Sequence, residues 1–526
     1  MPSVLVSDPI SEQGIDLLRA IPDCSVLVRT GMTPDELIQV IGEFDALAVR
    51  SETKVTAAIL AAAPRLRIIG RAGVGVDNID VAEATRRGVV VVNSPGGNTL
   101  AAAEMAIGMM LALARNIPQA DAGMKAGRWD RKKYMGAQIF GKTVGIIGLG
   151  KIGQAVAQRV AAFEARVIAF DPFSNAESAA AIGAELVTLD DLIQQSDYIS
   201  VHVPLTAETR GMLGTAQIAR MKPGVRLINC ARGGIIDEAA AAEAVASGKV
   251  AGVGFDVFTS EPVDAGNPLL ALPQNVLTPH LGASTEEAQI GVAIDIAEQI
   301  AAVLQGQPAR SAVNLPAVSP QDMDRLTPYL VLAKRLGSLQ RQLAGSSSAT
   351  AMQVVCIGDF ANLPTEMLGR AAAEGLLEGH GDVPVNAVNA PGMLAAQGIA
   401  FSTSHRRSSE PASIEVRVEF NGSNRRVTGR VADGEPRVTS IEGYTLDIGA
   451  EGAVLMTRHG DRPGVVGRIG TLLGEHGINI AGMHLGRERV GGAALMALVL
   501  DSPVDAGTLD AISKLPGIET AQSVTL

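Results

Sequence analysis

An α/β architecture with several separate cores is predicted for this chain of 526 residues, on three observations. Short continuous runs of Val, Ile and Leu alternate with helical patterns through the first three hundred residues, the signature of parallel strands covered on both faces in doubly wound sheets. A glycine-rich turn, GLGKIG, follows one such run and opens a helix. The tail from Gly452 reads strand, helix, strand, strand, helix, strand, a small split-βαβ sandwich. At roughly 150 residues per domain, the length suits three or four domains.

The first sheet is predicted from VLVS at 4–7, CSVLVR at 24–29, ALAVRS at 46–51, LRIIGRAG at 66–73 and GVVVVNSP at 88–95. Helices fill the gaps: SEQGIDLLRAI opens on Ser, and TPDELIQVI carries Pro at its first turn. A helical run from Asn98 leads through the charged loop GRWDRKKYMG into six further strands: TVGII, RVIAFD, YISVHV, VRLINC, VAGVGF and NVLTPH. The helix after His280 is long enough to return across the first sheet, so a discontinuous domain of 1–98 and 285–310 is expected around a second of 99–284. GQPARSAVNLPAVSP reads as a Pro-punctuated linker, and LTPYLVLAKRLGSLQRQLAG as an amphipathic helix. SIEVRVEF and RRVTGRVADGEPRVTSIEG alternate apolar and polar residues as antiparallel strands do. They give a third domain over 311–450 and leave the tail, 451–526, as a fourth.

Composition narrows the function. With 44 basic against 55 acidic residues the formal charge is −11, so the overall field repels nucleic acid and anionic membranes, and an anionic ligand needs a local cationic pocket. Three scattered cysteines, Cys24, Cys230 and Cys356, make neither a disulfide framework nor a zinc clasp, and the dispersed histidines offer no metal site. The start lacks a basic, then apolar, leader pattern, and a cytoplasmic location is expected.

The chemistry concentrates in two constellations. In GLGKIG, Gly148 permits a tight turn, Gly150 lets backbone approach a pyrophosphate and Gly153 lets the helix pack on its strand. The next strand ends in Asp171, where a carboxylate can bind both ribose hydroxyls and repel a 2′-phosphate, which favours NAD over NADP. The second constellation is Arg232 in NCARGG, Glu261 in FTSEPV and His280 in TPHLGAST. All three follow apolar strands and should collect at the carboxyl edge of the sheet. Oxidising a secondary alcohol needs a base, which His280 supplies; Glu261 can orient the imidazole, and Arg232 can grip a carboxylate. Asp256 in GFDVF is expected either near the nicotinamide or as a turn cap. Cys230 has no nearby His and reads as a packed strand residue.

These motifs, in this order, resemble the D-isomer-specific 2-hydroxyacid dehydrogenase family, and AVRSETKVT, GRAGVGVDNID and the closing tail resemble its long serine-pathway branch. The resemblance implies a Rossmann-type cofactor domain, a flavodoxin-like substrate domain, an intervening regulatory domain and a C-terminal ACT domain. The implied activity is NAD-dependent oxidation of 3-phosphoglycerate to 3-phosphohydroxypyruvate, catalysed by Arg232, Glu261 and His280. Val74, Lys151, Ile152, Val203, Cys230 and Ala231 are implied as cofactor contacts, together with Gly282 and Ala283. For the anionic substrate, Arg50, Ser51, Lys54 and Arg71 lie at strand ends, Ala72, Gly73 and Val74 offer backbone N–H groups, and Asn98 marks the crossing between domains. Arg131 is implied to reach a neighbouring subunit of a homodimer or homotetramer. In the tail, Asp461 and Asn479 match positions that bind an amino acid, with His459 where some relatives carry Tyr, and L-serine is the implied effector. Asp461 also reads as the N-cap of the following helix. Two other readings stand beside this one: a reductase of unphosphorylated ketoacids such as glyoxylate or hydroxypyruvate, and a cofactor-sensing corepressor, although the latter relatives lack such a tail.

Overall fold

The computed structural model describes residues 1–360, 363–379 and 384–526. The first sheet comprises β1 (Ser3–Val6), β2 (Ser25–Val28), β3 (Ala46–Val49), β4 (Ile68–Arg71) and β5 (Val90–Asn93). The strands are all parallel, in the order β2-β1-β3-β4-β5. One face buries Leu5, Leu47, Ile69 and Val91 against Leu37, Ile59 and Leu60. The other buries Val4, Val6 and Ile68 against Val292, Ile296 and Ile300. Those last three belong to the helix Glu286–Leu304, so the chain does come back to its first sheet after building the second. Each strand is only four residues long and apolar throughout its middle, which is why it reads as an unbroken run rather than an alternation.

The second sheet has seven strands: β6 (Thr143–Ile147), β7 (Arg166–Phe170), β8 (Ala184–Leu186), β9 (Tyr198–Val201), β10 (Val225–Asn229), β11 (Val250–Phe255) and β12 (Val276–Leu277). They run parallel in the order β12-β11-β10-β9-β6-β7-β8. The sequence predicts six. The addition is β8, a three-residue edge strand with a single buried residue, Ala184, too short to register as an apolar run. Strand order reverses between β6 and β9, so the crevice above β6 is where a ligand finds backbone and side chains from both halves.

The third sheet, β13 (Ala349–Ile357), β14 (Ala400–Arg406), β15 (Ser413–Phe420), β16 (Ser423–Ala432), β17 (Glu435–Ile441) and β18 (Tyr444–Gly449), is ordered β14-β13-β15-β16-β17-β18. Only β13 and β14 pair in parallel. Its core faces the helices Pro320–Ala344 and Glu366–Leu377. The fourth sheet, β19 (Ala453–Gly460), β20 (Ile480–Arg487), β21 (Ala493–Leu500) and β22 (Ile518–Thr525), is antiparallel in the order β20-β21-β19-β22. Its two helices close a core of Leu455, Ile469, Leu473, Met496 and Ile512.

The segment read as a free linker is partly a strand partner. Val313 N–H donates to Val91 O at 2.7 Å, and Asn93 N–H to Ser311 O at 3.4 Å. Asn314 closes the pairing, accepting from Val91 N–H at 3.0 Å and donating to Val89 O at 2.9 Å. This covers the outer edge of β5, whose N–H and C=O groups would otherwise be open to a foreign strand. Nearby, Asn386 Nδ2 donates to Gly88 O at 2.8 Å and ties the third unit to the same corner. Among the described residues no single helix is long and apolar enough to cross a bilayer, and no group of three or more His, Cys, Asp or Glu is placed to hold a metal.

Candidate active site

The carboxyl ends of the first two sheets face one another across a cavity of about 410 Å³. Val74 to Asp77 enter it after β4, Asn98 after β5, His202 to Leu205 after β9, Cys230 to Arg232 after β10, and His280, Gly282 and Ala283 after β12.

His280 Nδ1 lies 2.7 Å from Glu261 Oε2, with both side chains partly open to the cleft. Glu261 is fixed in turn by Phe258 N–H, which donates to Oε1 at 3.1 Å. Burial pushes its carboxyl up, but the bonds from His280 and Phe258 and the nearby Arg232 outweigh this and leave it below the ordinary range. A carboxylate so placed fixes the orientation of the ring, leaving Nε2 to exchange a proton in the cleft. The loop carrying the histidine is held from beneath. Asp256 is fully buried and accepts Thr278 Oγ1 at 2.6 Å, Leu281 N–H at 2.7 Å and Gly282 N–H at 2.7 Å, while its own carbonyl accepts His280 N–H at 2.8 Å. Of the two sequence expectations for Asp256, the structure shows the turn cap, with the carboxylate bonded beneath residues 278–282. The grip also holds His280 at φ 55°, a left-handed conformation unusual for a residue with a Cβ.

Arg232 donates from Nε to Asp77 at 3.0 Å and from Nη1 to Ala231 O at 2.7 Å. Its guanidinium passes over Gly75, where a Cβ would come within 1.8 Å of Nη2. Among the described residues Arg50, Lys54 and Arg71 have no ion-pair partner, and Arg71 Nε is buried with no acceptor. Burial, with Arg232 and Arg50 adding repulsion, pushes the Arg71 guanidinium down to about 10 despite Asp77 and Asp8. A desolvated guanidinium such as that of Arg71 is costly to bury unless an anion meets it. Ser51 and Lys54 are exposed on the same loop as Arg50. Two expected backbone donors are already used: Ala72 N–H continues the ladder to Val49 O at 2.8 Å, and Gly73 N–H turns back to Arg71 O at 2.8 Å. The free donors of GRAGVGVD therefore begin at Val74. Asn98 occupies the N-cap position of the helix Thr99–Arg115 without capping it, and its buried Oδ1 has no donor. Arg131 lies in an exposed loop outside this chain's own cleft.

The glycine turn fits a dinucleotide. Gly148 has φ 95°, and a Cβ on Gly153 would meet Gly148 O at 1.9 Å, whereas one on Gly150 would meet open space. The helix Lys151–Ala161 begins there without a side-chain cap, so its first N–H groups point at the mouth of the turn. Lys151 stands exposed at this helix start, and Ile152 and Val203 line the cavity. Asp171 directly follows β7 and accepts Leu149 N–H at 2.7 Å and Phe173 N–H at 2.8 Å, which leaves lone pairs for a diol. Cys230 donates to Met109 Sδ at 3.6 Å, and burial raises its thiol, as suits a packing residue. Sequence reasoning missed Asp8, Gly75, Asp77 and His202. The last has its Nε2 2.8 Å from Ser200 Oγ and is pushed down by burial to about 4. Its only signal was a histidine near the end of the predicted strand YISVHV.

Residues 107–282 match the family described as D-isomer specific 2-hydroxyacid dehydrogenase, NAD binding domain; residues 325–442 match the D-3-phosphoglycerate dehydrogenase intervening domain, and 453–517 the ACT domain. The D-3-phosphoglycerate dehydrogenase of Archaeoglobus fulgidus is 46% identical over 99% of this chain and 100% of its own length. The enzyme of that name from Synechocystis is 45% identical over 100% of this chain and 95% of its own. The chain belongs to the D-3-phosphoglycerate dehydrogenase family. Similar solved structures include an Aquifex aeolicus D-lactate dehydrogenase complexed with NAD and lactic acid, with TM-score 0.54, 27% identity and coverage of 60% of this chain and 100% of that one. A glyoxylate reductase from Paecilomyes thermophila has TM-score 0.55 and 29% identity, covering 59% of this chain and 98% of its own.

In the ACT domain of this family member the three expected effector residues do not form one site. His459 is only 2% exposed, paired between Ala494 and Ile518, and burial lowers its imidazole. Asp461 does not cap the helix, which begins at Val465 after Gly464; it accepts instead from Arg487 Nη1 at 3.2 Å and Gly491 N–H at 3.1 Å. Asn479 is exposed and donates to Asp501 at 2.7 Å. Asp461 therefore sits by the Ala493 end of β21 and Asn479 by its Leu500 end, separated by the length of that strand.

Proposed function

We propose that this chain oxidises D-3-phosphoglycerate to 3-phosphohydroxypyruvate with NAD, opening L-serine biosynthesis. The observation that carries the reading is the His280–Glu261 pair at 2.7 Å, set across one cleft from a glycine turn and from cations with no partner of their own. Arg232 and the Val74 N–H hold the substrate carboxylate, and Arg50, Lys54 and Arg71 hold its phosphate. His280 Nε2 takes the C2 hydroxyl proton, and Glu261 stabilises the resulting imidazolium. Bound NAD supplies the acceptor for the hydride leaving C2. The Lys151–Ala161 helix start, with Gly148 and Gly150, holds the pyrophosphate, and Asp171 the adenosine ribose. Asn98, from between the two sheets, supplies its unpartnered oxygen to a donor on a bound ligand.

The domain division that supports this reading is 1–98 with 285–310, 99–284, 311–450 and 451–526. A homodimer or homotetramer in the cytoplasm fits it, with Arg131 offered to a neighbouring cleft. L-serine is the proposed effector. Since Asp461 and Asn479 lie at opposite ends of β21, a site using both needs two ACT domains side by side.

The test is NADH consumption with 3-phosphohydroxypyruvate, run beside hydroxypyruvate, glyoxylate and 2-oxoglutarate. Preference for the phosphorylated ketone supports the assignment. Preference for an unphosphorylated acid keeps the hydride chemistry and removes the phosphate subsite.

A further inference from the structure

Asp8 stands two residues beyond β1, at the same carboxyl edge as the candidate site, and is 1% exposed. Its carboxylate is saturated by one loop. Oδ2 accepts Arg50 N–H at 2.7 Å and Glu52 N–H at 3.2 Å; Oδ1 accepts Thr53 N–H at 3.0 Å and, by a very short bond, the Thr53 hydroxyl. Ser7 Oγ lies 2.9 Å from that same hydroxyl. From the other side Asn78 Nδ2 donates to Arg50 O at 3.0 Å and to Thr53 O at 2.7 Å. A five-residue turn carrying Arg50 and Lys54 is thus clamped between two polar side chains, while the side chains of those two cations make no bond of their own among the described residues.

From this geometry we infer that Asp8 is the positioning residue for substrate specificity: it shapes the 50–54 turn into a cationic arm, and through it sets the preference for a phosphorylated over an unphosphorylated ketoacid. The inference rests on the phosphate-subsite reading above. Asp8 acts through Arg50 and Lys54 and touches neither substrate nor cofactor. A carboxylate is needed because the turn presents only donors inward, and an amide in its place opposes one N–H with another.

The sign of the effect separates this role from a purely electrostatic one. Asp8 also attracts Arg71, so as a bare charge it weakens the cationic field. Removing a bare charge tightens phosphate binding; removing an anchor loosens it. The experiment is steady-state reduction by the full-length Asp8→Asn enzyme, comparing 3-phosphohydroxypyruvate with hydroxypyruvate. The expected result is a rise of about tenfold in KM for the phosphorylated ketone, from misplacement of the arm, with KM for hydroxypyruvate moving by less than about twofold. A fall in KM for the phosphorylated ketone, or a parallel change for both substrates, overturns the proposal while the phosphate subsite stands. If the unaltered enzyme shows no preference for the phosphorylated ketone, the subsite reading itself fails and takes this inference with it. Should Asp8→Asn not fold, Thr53→Val removes the hydroxyl's bonds to Asp8 and Ser7 and keeps the backbone N–H bonds to the carboxylate; a smaller shift of the same sign supports the role, and no shift refutes it.

Discussion

Replacing Asp256 by Asn tests whether this carboxylate holds the catalytic loop or serves the cofactor. The change keeps the shape and removes one acceptor. If the amide oxygen stays with Thr278 and Leu281, the new NH2 faces Gly282 N–H; the opposite rotamer leaves two donors facing nitrogen. At least one buried N–H is orphaned, at a cost of about 1–3 kcal/mol, and the remaining bonds lose their charge assistance at roughly 1 kcal/mol each. A local loss of about 3–5 kcal/mol follows, equivalent to roughly a hundredfold or more in the opening equilibrium of the loop. Hydrogen exchange in a peptide spanning residues 278–284 reads this directly, since unfolding of a chain with several cores is not a single transition. Exchange there should quicken by about that factor, and kcat should fall with it as His280 leaves its left-handed conformation. Unchanged exchange with weakened NADH affinity refutes the reasoning and returns Asp256 to the nicotinamide.

Three further outcomes are expected. His280→Ala should cut kcat by about a hundredfold or more through loss of the proton acceptor, with NADH affinity by fluorescence titration nearly unchanged; retained turnover removes His280 as the base. Asp171→Ala should weaken NADH and narrow the discrimination against NADPH, measured as the ratio of kcat/KM values for the two cofactors; an unaltered ratio places the ribose elsewhere. His202, pushed down to about 4 by burial, is held neutral by the fold, so the unfolded chain takes up its proton first on acidification. Its contribution is complete above the ordinary histidine value and is lost as pH falls towards 4, at most about 3 kcal/mol before cleft water is allowed for. Denaturation at pH 7 and near pH 4.5 should therefore differ less in His202→Asn than in the parent; equal differences dismiss the effect.

Much of the fold was legible because it rests on local signals. Buried parallel strands declare themselves as unbroken Val/Ile/Leu runs, and GLGKIG with Asp171 spans a strand, turn and helix within one short stretch. Arg232, Glu261 and His280 were legible as polar residues placed just after such runs. What escaped depends on contacts between distant segments. Nothing near Ala72 shows that Val49 takes its N–H, and nothing near Asp8 shows that a turn more than forty residues away will fold around it. Residues 311–314 carry a linker's composition and make an isolated antiparallel bridge only because β5 leaves an edge beside them. The tail's succession of strands and helices along the chain was readable, whereas the separation of Asp461 from Asn479 follows from which strands neighbour β21.

That edge pairing gives the molecule a mechanical bias. The third unit is tied to the sheet that carries Arg50 and Arg71, by residues 311–314 along β5 and by Asn386 at Gly88. β5 lies beside β4, which ends in Arg71. A shift of the third unit is therefore felt first at β5, one strand away from Arg71.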